Sequence, residues 1–421
     1  MLDIRLLREN PSFVKARLST RSSQFVDVVD QILNCDARRR ESETHAQQLR
    51  AERNRLSKEI GGIKKSGGDS SNLENLVKES ALKMEELGRI AAELDAEQRD
   101  LLLRIPNLPA PGVPEGNSAS DNAVIRRWGE PFTSDSEDHV MIGERLGLFD
   151  TVRAAKISGS GYLLFTGAGA RLERALVNFL LDLQTRSHGY KEVAPPVLVR
   201  RECMEGTGQL PKFEEDMYGF DEGTFFLTPT AEVSLTNIHR EEILSEQDLP
   251  LKYTACTPCF RREAGSAGRE TRGLIRVHQF DKVELVKITT PGQALAELES
   301  LTADAEKVLQ LLNLPYRVLD LCTGDIGFSA SRTYDLEVWA PGQGGYLEVS
   351  SCSHFGDYQA RRVNLRYRNA EGKNQFCHTL NGSGTALPRL YVALLETHTQ
   401  KGGPLILPEP LHAYFGATQI G

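Results

Sequence analysis

Several features of a membrane, secreted or nucleic-acid-coating protein are missing from this chain. No run of about 18 apolar residues occurs, so no segment reads as a membrane span. The opening residues, Met1-Leu-Asp-Ile-Arg-Leu-Leu-Arg-Glu-Asn10, carry charges where a signal peptide has an apolar core, and they read as neither a secretory nor a transit segment. Cysteine is scarce. Seven residues, odd in number and scattered over 421, make no disulfide framework and suit a reducing cytoplasm. There is no basic excess: 50 Lys and Arg against 58 Asp and Glu give a net charge of −8, which argues against nonspecific coating of nucleic acid but leaves room for a local basic face. No internal repeat is visible. No Gly-x-x-x-x-Gly-Lys-Ser/Thr loop and no dinucleotide fingerprint is present, so an ATP site must be built another way. Cys256-x-x-Cys259 lacks a second ligand pair of matching spacing, because Cys352-x-His354 and Cys377-His378 fit poorly. The two cysteines read as small apolar side chains on a strand, and no zinc is expected.

What is present divides into two parts. From about residue 30 to residue 104 the sequence is strongly helical. Ala46, Leu49, Leu56, Ile60 and Ile63 in one half, and Leu73, Leu76, Leu87, Ile90, Leu94 and Leu101 in the other, fall on a heptad, the period of a left-handed two-helix seam. Arg39, Ser42, Arg53, Ser80, Lys83 and Glu97 interrupt that seam. The breaker cluster Ser66-Gly-Gly-Asp-Ser-Ser71 separates the halves, so the spacing predicts an antiparallel helical hairpin. Residues 38–65 carry nine basic and four acidic side chains, and residues 69–104 carry five and nine. Pairing across the hairpin accounts for this split, and so does a helix facing phosphates; the residues leave both open. Four prolines within residues 106–114 form a linker, and the domain boundary is placed there, at 110/111.

The remainder predicts an α+β domain. Helices are expected over 172–187, after Glu232 to about 243, over 295–312 and over 387–398. Strands are expected over 190–198, 218–228, 253–262, 277–288, 316–321, 331–339 and 345–350. Hairpin connections without strict strand–helix alternation argue for a mostly antiparallel sheet. Within it, Phe260-Arg-Arg-Glu263 precedes a glycine- and arginine-bearing loop and a second strand. An arginine held on such a hairpin is a bidentate clamp for a carboxylate or phosphate, although an ordinary hairpin with a solvated charged loop has the same pattern.

Three spaced elements line up. They are a helix and strand ending at Pro196, the Phe260-Arg-Arg-Glu263 segment, and Gly382-Ser-Gly-x-x-x-Pro-Arg389 opening a helix. Together they resemble the three signature motifs of class II aminoacyl-tRNA synthetases. Gly206-Thr-Gly-Gln-Leu-Pro-Lys-Phe213, Pro229-Thr-Ala-Glu232, Arg272-Gly-Leu-Ile-Arg-Val-His-Gln-Phe280, Glu348-Val-Ser-Ser-Cys352 and His378-Thr-Leu-Asn-Gly-Ser-Gly384 narrow the resemblance to seryl-tRNA synthetases of the bacterial type, over nearly the whole chain.

The resemblance implies ATP-dependent formation of seryl-adenylate and transfer of serine to tRNA(Ser), with tRNA(Sec) open as a further acceptor. It implies an N-terminal tRNA-binding domain over 1–110 and a class II catalytic domain over 111–421. By similarity, Arg261 bridges the attacking carboxylate and the α-phosphate. Thr230, Ala231 through its backbone, Glu232, Arg261, Glu284 and Ser383 hold serine. Arg261, Arg262, Glu263, Val277, Phe280, Glu348, Val349, Ser350, Ser351 and Arg389 hold ATP, with Phe280 and Arg389 on either face of the adenine, and Glu348 and Ser351 carry Mg²⁺. The same likeness implies a cytoplasmic homodimer with residues 189–196 near its twofold axis. It also implies an arm that grips the variable arm of a tRNA bound to the other subunit, through Arg38, Arg39, Arg50, Arg53, Arg55 and Lys58.

Departures from the family pattern fall at Met141, at Pro388 and after Tyr414. Proline is tolerated in a first helical turn, so Arg389 is expected to keep its place. Structural pairing with Arg272 or Arg276 is the plain alternative for Glu232 and Glu284. Two whole-chain alternatives remain. A class II ligase that loads an amino acid onto a carrier protein lacks such an arm, and a non-catalytic synthetase-derived tRNA- or protein-binding module loses Arg261, Glu263, Glu284 or Arg389; all four are present.

Overall fold

The computed structural model describes residues 1–132, 137–264 and 272–421, and the glycine- and arginine-bearing loop after Ala264 lies largely outside them. The chain divides into two compact units, residues 2–105 and residues 106–421, Met1 grouping with the second.

In the first unit, α1 (Ile4–Glu9) and α2 (Pro11–Ser19) precede two long helices, α3 (Gln24–Lys65) and α4 (Ser71–Arg104), which pack on each other. Asp3 caps α1 by accepting from the Arg5 N–H. The α3 side of the seam follows the heptad: Ser42 and Leu56 are buried, and Ala46, Leu49, Arg53, Ile60 and Ile63 are half-buried. On α4 the expected register is corrected. Leu76 is 48% exposed, Lys83 and Glu97 are exposed, and Val77, Met84, Ala91 and Gln98 take seam positions instead. A heptad can be entered with a three- or a four-residue step, and polar pairing selects here. Gln98 donates to Asp36 at 3.1 Å, and the buried Asp36 also meets Arg8 at 3.5 Å and Arg39 at 3.4 Å. A carboxyl group buried inside the bundle requires such partners.

The second unit is built on one eight-stranded sheet. Its strands are β1 (Ala123–Trp128), β2 (Lys191–Glu192), β3 (Leu251–Phe260), β4 (Gln279–Thr289), β5 (Tyr316–Asp320), β6 (Arg332–Ala340), β7 (Gly345–His354) and β8 (His378–Ala386). Their order across the sheet is β1-β5-β6-β7-β8-β4-β3-β2, with every pair antiparallel except β2 with β3. The helices α5 (Ala168–Arg186), α6 (Ala231–Thr236), α7 (Ala294–Leu311) and α8 (Leu387–His398) pack on this sheet. Leu301 and Leu309 of α7, Leu390 and Leu394 of α8, and Leu172 and Leu176 of α5 share one apolar core with Leu285, Val318 and Leu336 of the sheet. The fold is thus mixed α+β. No described helix is long and apolar enough to cross a membrane.

Several expected elements differ. The helix after Glu232 ends at Thr236 rather than near residue 243, and Ile243–Ser245 forms a strand parallel to Arg366–Arg368. The strand expected over 190–198 contracts to β2 and a separate Leu198–Arg200, because Pro195 and Pro196 offer no N–H to a ladder. The strand expected over 218–228 divides into Gly219–Phe220 and Phe225–Leu227. Gly382 and Gly384, which precede α8 in the sequence, lie within β8, a strand not among those expected from the sequence. A Cβ at Gly382 would stand 2.3 Å from Leu301 Cδ2 and 3.0 Å from Cys352 Sγ, so glycine lets α7 close on the sheet. Gly382→Ala should therefore lower stability by about 1–3 kcal/mol, the usual cost of overpacking a core, read as a reduced melting temperature; an unchanged value would show that α7 yields freely.

Candidate active site

The sheet carries a cavity of about 800 Å³. Thr230, Glu232, Arg261, Glu263, Val277, Phe280, Glu348, Val349, Ser351, Ser383 and Arg389 all line it. Four of the proposed site residues do not. Ala231 and Ser350 are buried behind the wall, and Glu284 is fully buried. Arg262 is exposed, and its backbone N–H donates to Asp216 O at 3.0 Å.

Two irregularities in the sheet aim these side chains. In a regular strand, residues three apart face opposite sides. On β7, Glu348 pairs with Glu337 and Ser350 with Leu336, which leaves Val349 as an extra residue. This bulge brings Glu348 and Ser351 to the same wall. On β8, Ser383 pairs with Glu284 and Thr385 with Val283, so Gly384 is the extra residue. That second bulge lets Asn381, Ser383 and Ala386 share the cavity side. Ser350, turned inward, donates from its hydroxyl to Ser383 O at 2.6 Å and ties the two bulged strands together.

At one end of the cavity, acidic and basic groups are interleaved. Thr230 caps α6 by accepting from the Glu232 N–H. Lys282 Nζ lies 2.8 Å from Thr230 Oγ1 and 2.5 Å from Glu284 Oε2, and Asn381 Nδ2 donates to Glu284 Oε1 at 2.9 Å. Burial, with the Glu284 charge second, pushes the Glu232 carboxyl up to about 7, against the opposing pull of Gln359, Lys282 and Arg261. Neither Glu232 nor Glu284 pairs with Arg272 or Arg276 among the described contacts. Arg272 meets Asp138 at 2.8 Å, and Arg276 Nη1 donates to Glu263 Oε2 at 2.5 Å.

Arg261 lies one residue past the end of β3 and is half-buried, rather than being a buried strand residue. Its N–H donates to His278 O at 2.9 Å, which extends the hairpin by one bond. Its guanidinium carbon sits 5.3 Å from the centre of the Phe280 ring. Arg389 is the third residue of α8, after Pro388. Its Nη1 donates to Glu348 O at 2.8 Å and lies 3.3 Å from Glu348 Oε2. One site-wall segment gave no chemical signal in the sequence: Thr207, Gly208, Gln209 and Phe213 line the cavity from the Gly206–Phe213 motif. In the first unit, Arg38, Arg50, Arg55 and Lys58 are exposed, whereas Arg39 and Arg53 are half-buried on the seam. Arg39 is also committed to Asp36, Glu43 and Asp95, which removes it from the free basic face.

Residues 1–109 match the family model of the seryl-tRNA synthetase N-terminal domain, and residues 213–398 match that of the tRNA synthetase class II core domain (G, H, P, S and T). The serine–tRNA ligase of Akkermansia muciniphila is 59% identical over 421 residues, covering 100% of this chain and 99% of that protein. The chain belongs to the seryl-tRNA synthetase family. The serine–tRNA ligase of Thermodesulfovibrio yellowstonii is 52% identical over the full length of both chains. The crystal structure of seryl-tRNA synthetase from Pyrococcus horikoshii complexed with ATP matches with a TM-score of 0.95 at 38% identity, covering 100% of this chain and 99% of that one. A carboxylate placed for binding need not be optimal for stability. Glu232→Gln keeps the acceptor for Gln359 and removes a charge that the fold disfavours. Because the carboxyl is raised from 4.5 to about 7, ionisation above pH 7 penalises the native state, and the penalty disappears once both states are protonated below about 4.5. The variant should be more stable than the parent above pH 7, by up to about 3 kcal/mol, with the gain falling below about 1 kcal/mol at pH 5. Melting curves across this range check it; a gain that grows toward acid would contradict the assignment.

Proposed function

We propose that this chain activates L-serine with ATP and transfers it to tRNA(Ser). The observation that carries the reading is that one guanidinium stands between two differently equipped parts of a single cavity. Arg261 is close enough to Glu232 to favour its ionised form, and it also lies over Phe280. The Glu232 end is suited to an amino acid. The Glu232 carboxylate, with that of Glu284 behind it, complements an ammonium and a hydroxyl, Thr230 and Ser383 add polar contacts, and the Ala231 backbone lies beside them. A site that pairs a substrate hydroxyl rejects the analogue lacking it by about 10⁴ or more, so alanine would be excluded strongly and threonine only by volume. The other end is suited to a nucleotide, with Val277, Phe280 and Arg389 around the adenine and Glu263 beside it.

In the reaction, a serine carboxylate oxygen attacks the α-phosphorus of ATP, a P–O bond forms, and the bond to pyrophosphate breaks. Binding of both substrates draws Arg261 off the Phe280 ring, so that its planar fork spans the carboxylate and the α-phosphate. Positioning and charge stabilisation supply most of the acceleration in such a step. Glu348 and Ser351, two hard oxygen donors that the bulge at Val349 brings to one wall, would hold Mg²⁺. When bound, the ion would neutralise phosphate charge. The prolyl ring at position 388 and the bond to Glu348 O support Arg389 in its adenine role.

The chain would act as a homodimer. The exposed β2 at one edge of the sheet is an open ladder that a second copy would cover near residues 189–196. The basic face of α3, now Arg38, Arg50, Arg55 and Lys58, would contact tRNA backbone by shape rather than by sequence; Arg39 and Arg53, half-buried on the seam, are withdrawn from it. tRNA(Sec) is a second acceptor to be assayed beside tRNA(Ser).

Arg261→Ala should reduce serine-dependent ATP–pyrophosphate exchange by about 10²–10³ or more, the scale of a lost transition-state donor, while the protein remains folded. Wild-type exchange in that variant would remove Arg261 from its role. Excising residues 40–93 with a short Gly/Ser closure should leave exchange intact and cut tRNA(Ser) charging about a hundredfold or more as phosphate contacts are lost; unchanged charging would show that the hairpin has no part in tRNA binding.

A further inference from the structure

The short helix Tyr358–Val363 belongs to none of the motifs assigned a role above, yet it sets one side chain against the amino-acid end of the cavity. Gln359 is fully buried. Its Nε2 donates to Glu232 Oε1 at 2.7 Å and to the Thr207 carbonyl at 3.2 Å. Thr379 Oγ1, on β8, donates to its Oε1 at 2.7 Å. These contacts leave the amide one orientation. Both of its N–H groups and its oxygen are engaged, and a flip would turn the oxygen against the Glu232 carboxylate and the nitrogen against a donating hydroxyl. The same side chain touches the Thr207–Phe213 wall and the carboxylate that faces the substrate.

We propose that Gln359 is the positioning residue for amino-acid binding: it holds Oε1 of Glu232, leaves Oε2 for the substrate ammonium, and ties that carboxylate to the cavity wall through Thr207. The proposal rests on the reading of this cavity as a serine and ATP site. Glu232 is faced by Glu284 and Lys282 from β4, by Arg261 from the end of β3 and by Gln359 from its helix. Glu284 opposes its ionisation, and Lys282, Arg261 and the Gln359 N–H favour it. The amide is the one neutral group in that set, so its removal changes neither the net charge of the pocket nor the contacts of the phosphate end.

In the full-length enzyme, Gln359→Met should raise the KM for serine in pyrophosphate exchange about tenfold to a hundredfold, the effect of one lost hydrogen bond to a charged group, with the KM for ATP unchanged. The pH at which serine KM begins to rise toward acid should move upward by about one unit, because the ionised carboxylate loses a donor. Thr379→Val, which frees the amide to flip, should shift both quantities in the same direction by less, and it carries the test if Gln359→Met does not fold. A wild-type serine KM and pH profile in a folded Gln359→Met, or in Thr379→Val where that variant stands in, would overturn the proposal. So would a parallel rise in the KM for both substrates, the mark of a general structural defect. Absence of serine-dependent exchange in the unaltered protein would instead strike the reading of the cavity itself.

Discussion

Two buried carboxylates, Glu232 in the cavity wall and Glu284 behind it, are the constraint around which the catalytic unit is arranged. Glu284 on β4 is fully buried and Glu232 on α6 nearly so, and a charge taken from water costs several kcal/mol unless it is compensated. Compensation comes from different elements: Lys282 and Asn381 hold Glu284, and Gln359 holds Glu232. These partners offset the burial only in part, since the Glu232 carboxyl remains pushed up to about 7. A pocket left short of positive charge is predisposed to take an ammonium. On the proposed reading, the imbalance that costs stability in the empty fold would be the source of affinity for an amino acid.

The sheet makes this arrangement possible through two departures from regularity. Bulges at Val349 and Gly384 each shift a strand by one residue, and the shift turns Glu348 with Ser351, and Ser383 with Ala386, toward common space. Without them, the alternation of a flat strand would send half of these groups into the apolar core beside α7. The inward Ser350 links the two strands at the point where both depart from register, so the wall bearing Ser383 and the wall bearing Glu348 and Ser351 are tied together.

Much of this was readable before any coordinates. Heptads announce the hairpin, the proline run marks a boundary region, and alternating stretches at 253–262 and 331–339 announce strands, because local periodicity reports one buried face directly. The placement of Arg261, Glu232 and Arg389 around one cavity followed from ordered motifs over the full length rather than from any single pattern. Other features were not legible for identifiable reasons. The strand β8 is rich in glycine and polar residues yet central and buried, so neither propensity nor alternation reveals it. A bulge is a property of pairing between strands, and neither strand shows it alone. The α4 register depended on Gln98 meeting Asp36 across 62 positions of sequence, which no heptad count contains. Arg262 resembles Arg261 in every local respect, and both lie past the end of β3; Arg261 continues the hairpin to His278 O and lines the cavity, whereas Arg262 turns to Asp216 O and is exposed. Gln359 carried no signal because its role depends on a carboxylate 127 positions earlier.

The central claim is that Arg261 serves both substrates at once, and the most direct test is a crystal structure of the protein with a non-hydrolysable seryl-adenylate analogue. The account predicts that the guanidinium leaves the Phe280 ring and lies within hydrogen-bonding distance of both the seryl carbonyl oxygen and the group that replaces the α-phosphate. A ligand bound in the cavity while Arg261 stays on the ring, contacting neither group, would contradict it.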